Sequence, residues 1–491
     1  MKQVVLGIDI GTGSTKGVLV TADGTVVATA RRTHRISLPH PGHVEMDAER
    51  QWWGDVTYIC RELASPDHEV AAICVSGLGP AVVAVDQDWQ ALHPAVLYGI
   101  DTRAHEQITE MTAELGDQQI LRRCGKKLSS QAVGPKLRWL REHRDVPAAA
   151  RWCSSHTFVS GRLTGRWFLD HHTASQCDPL YDMAAQGWAQ DWSEKVLPGV
   201  RLPDLVWPGE IVGRLTPQAA SATGLPAGVP VVAGTVDAWA EAHSVGVHRP
   251  GDLMMMYGST MFLVQVLSAP TVDAALWTTS GVTSGSRTLA AGMSTSGTLL
   301  EWVSDLVSEE FAELVSQAEE VPAGSDGLVM LPYLAGERSP LYDPDARGLL
   351  AGLRLTHTKG HLFRAAHEGI AYGVRQILEV MEQSAGAPDR VVAVGGGTRG
   401  GLWMQIVSDV CGIEQIVPET TTGASYGGAL LAAEGVGLVE AGTSWMRTAG
   451  VVRPRKQVQR RYQELYRVYR DLYPNTRNSM HALARVQESV G

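Results

Sequence analysis

Residues Val4 to Val20 read VVLGIDIGTGSTKGVLV, two apolar segments flanking a turn rich in Gly, Thr and Ser, with one acid, Asp9, set in the first segment. Apolar runs bounded by such residues predict two strands joined by a tight turn. A buried carboxylate without a partner is strongly disfavoured, so Asp9 needs a hydrogen-bonding or cationic neighbour. In the turn, Thr12, Gly13, Ser14, Thr15 and Lys16 can aim backbone N–H groups, hydroxyls and an ammonium at an anion. Phosphate is the obvious anion, and a Mg²⁺ ion held through water between phosphate and Asp9 would supply the missing partner. The same residues also suit a plain hairpin turn, and taken alone they leave both readings open.

Working outward, GDLMMMYGSTMFLVQV (Gly251 to Val266) repeats the design, with Gly258, Ser259 and Thr260 in the turn. The repeat is one of pattern and not of sequence, which suggests two halves of similar design facing one another. Strand-like VAAICVSG, helix-like KLRWLREH and strand-like VPVVAG alternate between them, as in α/β proteins. From His361, the residues Leu362, Ala366, Ile370, Val374, Ile377 and Met381 fall on one face of a predicted helix. An amphipathic terminal helix is predicted from Lys456 to Tyr473. At 491 residues the chain exceeds one ordinary core, so two domains of roughly 200 residues or more, with a cleft between them, are expected. The turn-rich HRPGD (His248 to Asp252) is the expected boundary, giving domains 1–247 and 248–491.

A formal net charge of −10 argues against nucleic acid or an anionic membrane as the main partner. No apolar run approaches the roughly 20 residues of a membrane span, and Asp9 interrupts any signal-like N-terminus, so a cytoplasmic protein is expected. Six scattered cysteines without a CxxC pair read as reduced packing residues and offer no zinc site.

Two further stretches carry chemistry. There is no GxxxxGK[ST] sequence, so a Walker-type phosphate loop is excluded. VVAVGGGTRGG contains a GxGxxG, Gly395 to Gly400, with Glu414 and Glu419 near the spacing of a ribose-binding acid. A lone GxGxxG is a weak sign of a dinucleotide fold, and the reading favoured over it is that the glycines let the backbone approach an adenine or α-phosphate, with a helix from Leu402 to Gly412 behind them. In VVAGTVDAWAEA, Asp237 follows a buried-type strand and precedes a helix. It suits a helix N-cap or a general base at a strand's C-terminal end, where α/β folds place ligands.

The chain resembles the FGGY family of carbohydrate kinases, and within it the xylulokinases. The resemblance rests on DIGTGSTKG, HPGHVEMDAERQWW, KLRWLREH, LTGRWFLDHHTAS, AGTVDAWAEA, YLAGERSPLYDPDARGLLAGL, GGGTRGGLWMQ and TGASYGGALLA, in the family's order along nearly the whole chain. It implies two actin-like (ribonuclease H-like) ATPase domains with a nucleotide and sugar cleft between them, and ATP with Mg²⁺ as cofactors. It also implies transfer of the γ-phosphoryl group to a primary hydroxyl of a small-molecule sugar, a ketose or polyol, with D-xylulose the first guess. Asp237 matches the family's catalytic aspartate, Thr12 to Lys16 the first phosphate hairpin and Gly258-Ser259-Thr260 the second. Gly396 and Gly397 match the adenine and α-phosphate contact, and Asp9 matches the acid that holds Mg²⁺. YGIDTRA offers Asp101 as hydroxyl acceptor and Arg103 as donor on the sugar side.

The chain also departs from the pattern. Gly79 and Pro80, in SGLGPAVV, stand where xylulokinases carry a Met-His pair that touches the sugar, and Ala238 stands where they tend to have Asn. The sugar is therefore open, with ribulose, gluconate and polyols as alternatives. A sugar-binding protein without turnover and a chaperone-like actin-fold ATPase are the other readings, and a homodimer is one assembly it could form. His34, His40 and His43 are expected in a surface loop, His171 and His172 as packing residues, and Glu337 paired with Arg338.

Overall fold

The computed structural model describes residues 2–419 and 422–488. The opening stretch forms β1 (Lys2–Ile10) and β2 (Ser14–Val20), an antiparallel pair with Asp9 opposite Lys16. With β3 (Val26–Thr33), β4 (His68–Gly77), β5 (Ile211–Arg214) and β6 (Pro230–Val236) they build a six-stranded sheet in the order β5-β6-β4-β1-β2-β3. Strand β4 runs parallel to both β1 and β6. These central strands are near-continuous apolar runs, as strands covered on both faces must be.

The second sheet comprises β7 (Asp252–Tyr257), β8 (Met261–Val266), β9 (Trp277–Ser280), β10 (Arg287–Gly292), β11 (Arg390–Val394), β12 (Gln415–Pro418) and β13 (Thr448–Val452). Its order is β9-β10-β8-β7-β11-β12-β13. In each sheet an antiparallel meander, β1-β2-β3 or β7-β8-β10, continues into two parallel strands, β4 and β6 or β11 and β12. The repeat of pattern in the sequence is a repeat of topology.

Five helices bear on the site or its support: α1 (Asp237–Ser244), α2 (Lys359–Ala385), α3 (Gly401–Cys411), α4 (Ala424–Gly435) and α5 (Lys456–Glu488). Helix α4 follows the second sheet's β12 in sequence, yet its Ala429, Leu431, Ala432 and Ala433 pack with Val5, Val18, Ala72, Cys74 and Val232 of the first sheet. The approach is backbone to backbone: a Cβ on Gly7 would lie 1.9 Å from Ser425 O, and one on Gly427 would lie 1.8 Å from Ala240 O. Helix α1 crosses the other way, its Trp239 and Ala242 packing with Met254, Val264, Ala290, Val392 and Val394 of the second sheet. The two halves are thus interlocked by exchanged helices.

On α2 the expected face is buried from Ala366 to Met381, with Leu362 only half-buried. Helix α5 runs past Tyr473 and through Pro474, and seats Tyr462, Tyr466 and Tyr469 in the second core. All six cysteines are free thiols, five of them buried. No helix among the described residues is long and apolar enough to cross a membrane.

Candidate active site

Asp9 sits one residue before the end of β1, 8% exposed, and its buried Oδ1 has no hydrogen-bond partner. Burial first, and then the neighbouring Asp237 carboxylate, push its pKa well above the ordinary value, against the opposing charge of Lys16. Asp237 is the first residue of α1, one residue after the N-cap position, which Val236 holds without a side-chain cap bond. Its Oδ1 accepts the Ala238 N–H at 2.8 Å, and desolvation pushes its pKa up to about 6. Glu241, one turn further along α1, is raised to about 7 by burial and then by Asp237. Three carboxylates around one ammonium form a donor set for a divalent cation. Among the described residues the group whose ligand atoms lie within 4.8 Å of one another is Asp343, Asp345 and His481. A cation shared by Asp9, Asp237 and Glu241 would therefore be reached through water.

The raised carboxyl of Asp237 has a measurable consequence. For a base at Asp237, useful only when deprotonated, kcat/KM would rise with pH through about 6 and level off above it. A pH–rate profile checks this. An acid limb near the ordinary carboxylate value of about 4 would contradict it.

The first hairpin closes with Gly11 N–H donating to Ser14 O at 3.0 Å, leaving Thr12 half-buried and Gly13 and Lys16 exposed beside Asp9. Thr15 is buried, its hydroxyl without a partner. His34, expected on a surface loop, instead bridges Gly11 O at 2.8 Å and the Asp55 carboxylate at 2.7 Å, bracing this turn from below. In the second hairpin the Gly258 N–H donates to Thr260 O at 3.2 Å. Its carbonyls are held by the first residues of the helix Gly297–Val307: Gly297 N–H donates to Gly258 O at 3.1 Å, and Thr298 N–H to Ser259 O at 3.2 Å. Gly258 and Ser259 then line a cavity of about 510 Å³ with Gly396, Gly397, Leu300, Phe311 and Trp403. Glycine is required at 397, where a Cβ would lie 2.6 Å from the Trp403 ring. A largely apolar slot with Gly396 and Gly397 on its wall fits a flat heterocycle. Glu414 lies outside it, in an exposed pair with Arg453 at 3.2 Å.

A second cavity, of about 260 Å³, draws its walls from both halves: Gly79, Tyr98, Lys126, Gln131, Gln176, Asp178 and Asp237 from the first, and Thr260, Phe262, Trp277, Thr279 and Arg338 from the second. Asp237 is on its lining, and Tyr98 connects it to the first hairpin through a 3.2 Å hydrogen bond with the Thr12 hydroxyl. The halves are tied beside it, with His172 Nδ1 2.7 Å from Ser280 O and Ser280 N–H donating to the Ser175 hydroxyl at 3.0 Å.

Not every sequence candidate reaches this cavity. Asp101 is fully buried and its oxygens are taken by Val44 N–H at 2.6 Å and by the Arg103 guanidinium at 2.7 Å. Arg103 also pairs with Glu45 at 2.8 Å and lies over the Trp139 ring. The Asp-x-Arg pair is an internal brace, outside the cavity lining. Pro80 is buried and also outside the lining, whereas Gly79 is on it, and a Cβ there would meet Val236 Cγ2 at 2.7 Å. Arg338 donates to Met293 O and lines the cavity, while Glu337 accepts the Ser294 and Arg338 backbone N–H groups at 2.8 Å each, so the expected side-chain pair does not form. Sequence reasoning missed Glu241, Tyr98, Lys126 and Asp178. Only Glu241 had a local signal, its four-residue offset from Asp237 on one helix face.

Residues 4–243 match the N-terminal domain model, and 253–435 the C-terminal domain model, of the FGGY family of carbohydrate kinases. The chain belongs to that family. The kinase superposes on the crystal structure of a xylulose kinase from Rhodospirillum rubrum with a TM-score of 0.89 and 32% identity, over 97% of this chain and all of that one. Among curated proteins it is 28% identical to the xylulose kinase of Bacillus subtilis, over 98% of this chain and 99% of the relative. It is 27% identical to the gluconokinase of the same organism, over 90% and 89%. The fold is therefore the two-domain, actin-like ATPase fold, and the activity is that of an ATP-dependent carbohydrate kinase.

Proposed function

We propose that the kinase transfers the γ-phosphoryl group of ATP, with Mg²⁺, to a primary hydroxyl of a ketose or polyol, D-xylulose being the first substrate to test, and that it does so in the cytoplasm. The observation that carries this reading is the position of Asp237, on the lining of the smaller cavity and within the electrostatic reach of Asp9 and Lys16 at the first hairpin. In the proposed division of labour, residues 1–247 supply the first hairpin, the base and most of the sugar side. Residues 248–491 supply the second hairpin and the adenine slot.

The transition state of phosphoryl transfer is loose and spreads charge over the transferred oxygens, so positioning and electrostatics do most of the work. Asp237 orients the sugar hydroxyl and takes its proton late, because a carboxylate is too weak a base to ionise an alcohol beforehand. Backbone N–H groups and hydroxyls of Thr12 to Lys16, and of Gly258 to Thr260, surround the phosphates. Gly396 and Gly397 let the backbone approach the nucleotide. Asp9, with an orphaned buried oxygen, and Glu241 fit the charge of a hydrated divalent cation, which when bound would neutralise charge on the phosphates. Asp101 and Arg103 hold the sugar-side loop in place, and Gly79 leaves room beside the substrate.

ADP release with ATP and a panel of D-xylulose, D-ribulose, glycerol and D-gluconate tests the reading. Sugar-dependent release is expected, and release that no sugar stimulates would contradict it. Asp9→Ala is expected to raise the Mg²⁺ concentration needed for half-maximal rate by about tenfold or more, the scale of a lost charged contact. Sugar binding without ATP, followed by calorimetry, should be little changed. Loss of sugar affinity in that variant would place Asp9 on the wrong side of the reaction.

A further inference from the structure

Tyr98 lines the smaller cavity together with Asp237 and Arg338, and its hydroxyl lies 3.2 Å from the Thr12 hydroxyl in the first hairpin. Both ends of this link stand on braced backbone. Behind Tyr98, the buried Lys136 ammonium donates to Leu97 O at 2.6 Å and to Tyr98 O at 3.0 Å. The next residue, Gly99, donates its N–H to Gln131 Oε1 at 3.0 Å, and its carbonyl accepts the Ser130 hydroxyl at 2.7 Å. Thr12 sits between Gly11, whose carbonyl is 2.8 Å from His34 Nε2, and Gly13, whose carbonyl accepts the His34 N–H at 3.1 Å. With the backbone held on both sides, what a ligand can reset is the direction in which the two hydroxyl protons point. Burial pushes the pKa of the Tyr98 phenol up, so the group keeps its proton at neutral pH, and the charges of Asp237 and Arg338 both reach it.

A hydroxyl has one proton to donate and lone pairs with which to accept. Two directions are therefore open to the link, Thr12 to Tyr98 or Tyr98 to Thr12. An ionised phosphate oxygen only accepts, so a phosphate at the first hairpin draws the Thr12 proton to itself. Tyr98 must then donate to Thr12, which leaves its own oxygen to accept a proton from the cavity. We propose that Tyr98 and Thr12 couple the two substrates: nucleotide phosphate at the first hairpin turns the Tyr98 hydroxyl into an acceptor for a sugar hydroxyl other than the reacting one, so that each substrate raises the affinity for the other. The inference rests on the sugar-kinase reading of the cleft and adds how its two sides communicate. Hydrogen bonds that run one way along a chain polarise and strengthen one another, and the effect on affinity is reciprocal by linkage.

Calorimetry tests this without turnover. The dissociation constant of each sugar among D-xylulose, D-ribulose, glycerol and D-gluconate is measured with and without saturating adenylyl imidodiphosphate and Mg²⁺. For a sugar that binds, the analogue is expected to tighten binding to the wild type by about fivefold or more, the low end of coupling between sites. Tyr98→Phe, which keeps the ring, and Thr12→Val are each expected to lower that ratio by about threefold or more, the scale of one net hydrogen bond. Thr12→Ser, which restores the hydroxyl, should keep it, and the double variant should lose no more than either single one. A packing role for Tyr98 would weaken sugar binding equally with and without the analogue and leave the ratio unmoved. No sugar binding, no synergy in the wild type, a ratio that Tyr98→Phe does not change, or losses that add in the double variant would each overturn the inference. If sugar-stimulated ADP release persists, the kinase reading stands even then. Sugars that bind with the expected synergy but never yield ADP overturn the kinase reading and leave the coupling standing.

Discussion

Asp237→Asn is expected to lower sugar phosphorylation by about 10²-fold or more while leaving the fold and ATP binding intact, the usual range for a positioned base. The amide matches the carboxylate in shape, and its oxygen can still accept the Ala238 N–H that Asp237 holds at 2.8 Å. It cannot take the proton that leaves the sugar hydroxyl. Because the amide oxygen keeps the Ala238 bond and Val236 holds the N-cap position, loss of helix capping does not explain a fall in rate. The measurement is kcat with saturating ATP and sugar, beside ATP affinity by calorimetry. Near-normal turnover would remove Asp237 from the chemistry.

The second large effect is on assembly. Gly7→Ala places a methyl 1.9 Å from Ser425 O and 2.4 Å from Ala429 N, both backbone atoms of α4. No side chain can rotate away, so the helix must shift off the first sheet or the sheet must bend. Overpacking of this kind typically costs about 1–3 kcal/mol, and the rigid backbone target puts this case at the upper end. The thermal midpoint should drop clearly, whereas Gly450→Ala on β13, with nothing within 4 Å of the new methyl, should barely move it. Equal midpoints for the two variants would mean that α4 is not seated as described.

Much of the fold was legible because it is written in local patterns. Both hairpins carry their turn residues between apolar strands, and α2 announces itself by 3.6-residue spacing. The exchange of α1 and α4 was not legible. ASYGGALLAAEG is a run of small residues whose meaning depends on strands as much as 400 residues and more away in the chain, where Gly7 and Ser425 meet backbone to backbone. At the site, Asp9 betrayed itself as a charge without a local partner, and Asp237 by its place between strand and helix. Asp101 and Arg103 misled because an acid and a base two residues apart serve an internal brace as well as a ligand, and only the arrival of Val44 and Glu45 decides which. Lys126 left no sequence signal, since its partners Ser175, Asp178 and Thr278 lie about 50 to 150 residues further along the chain.

The central claim is that the cleft moves a phosphoryl group from nucleotide to a primary hydroxyl held at Asp237. Phosphorus and carbon NMR of the products formed from ATP, Mg²⁺ and a sugar that stimulates ADP release tests it most directly. The account predicts one phosphate monoester, on the CH₂OH carbon of the sugar, appearing in step with ADP. Inorganic phosphate accumulating beside unmodified sugar would contradict it.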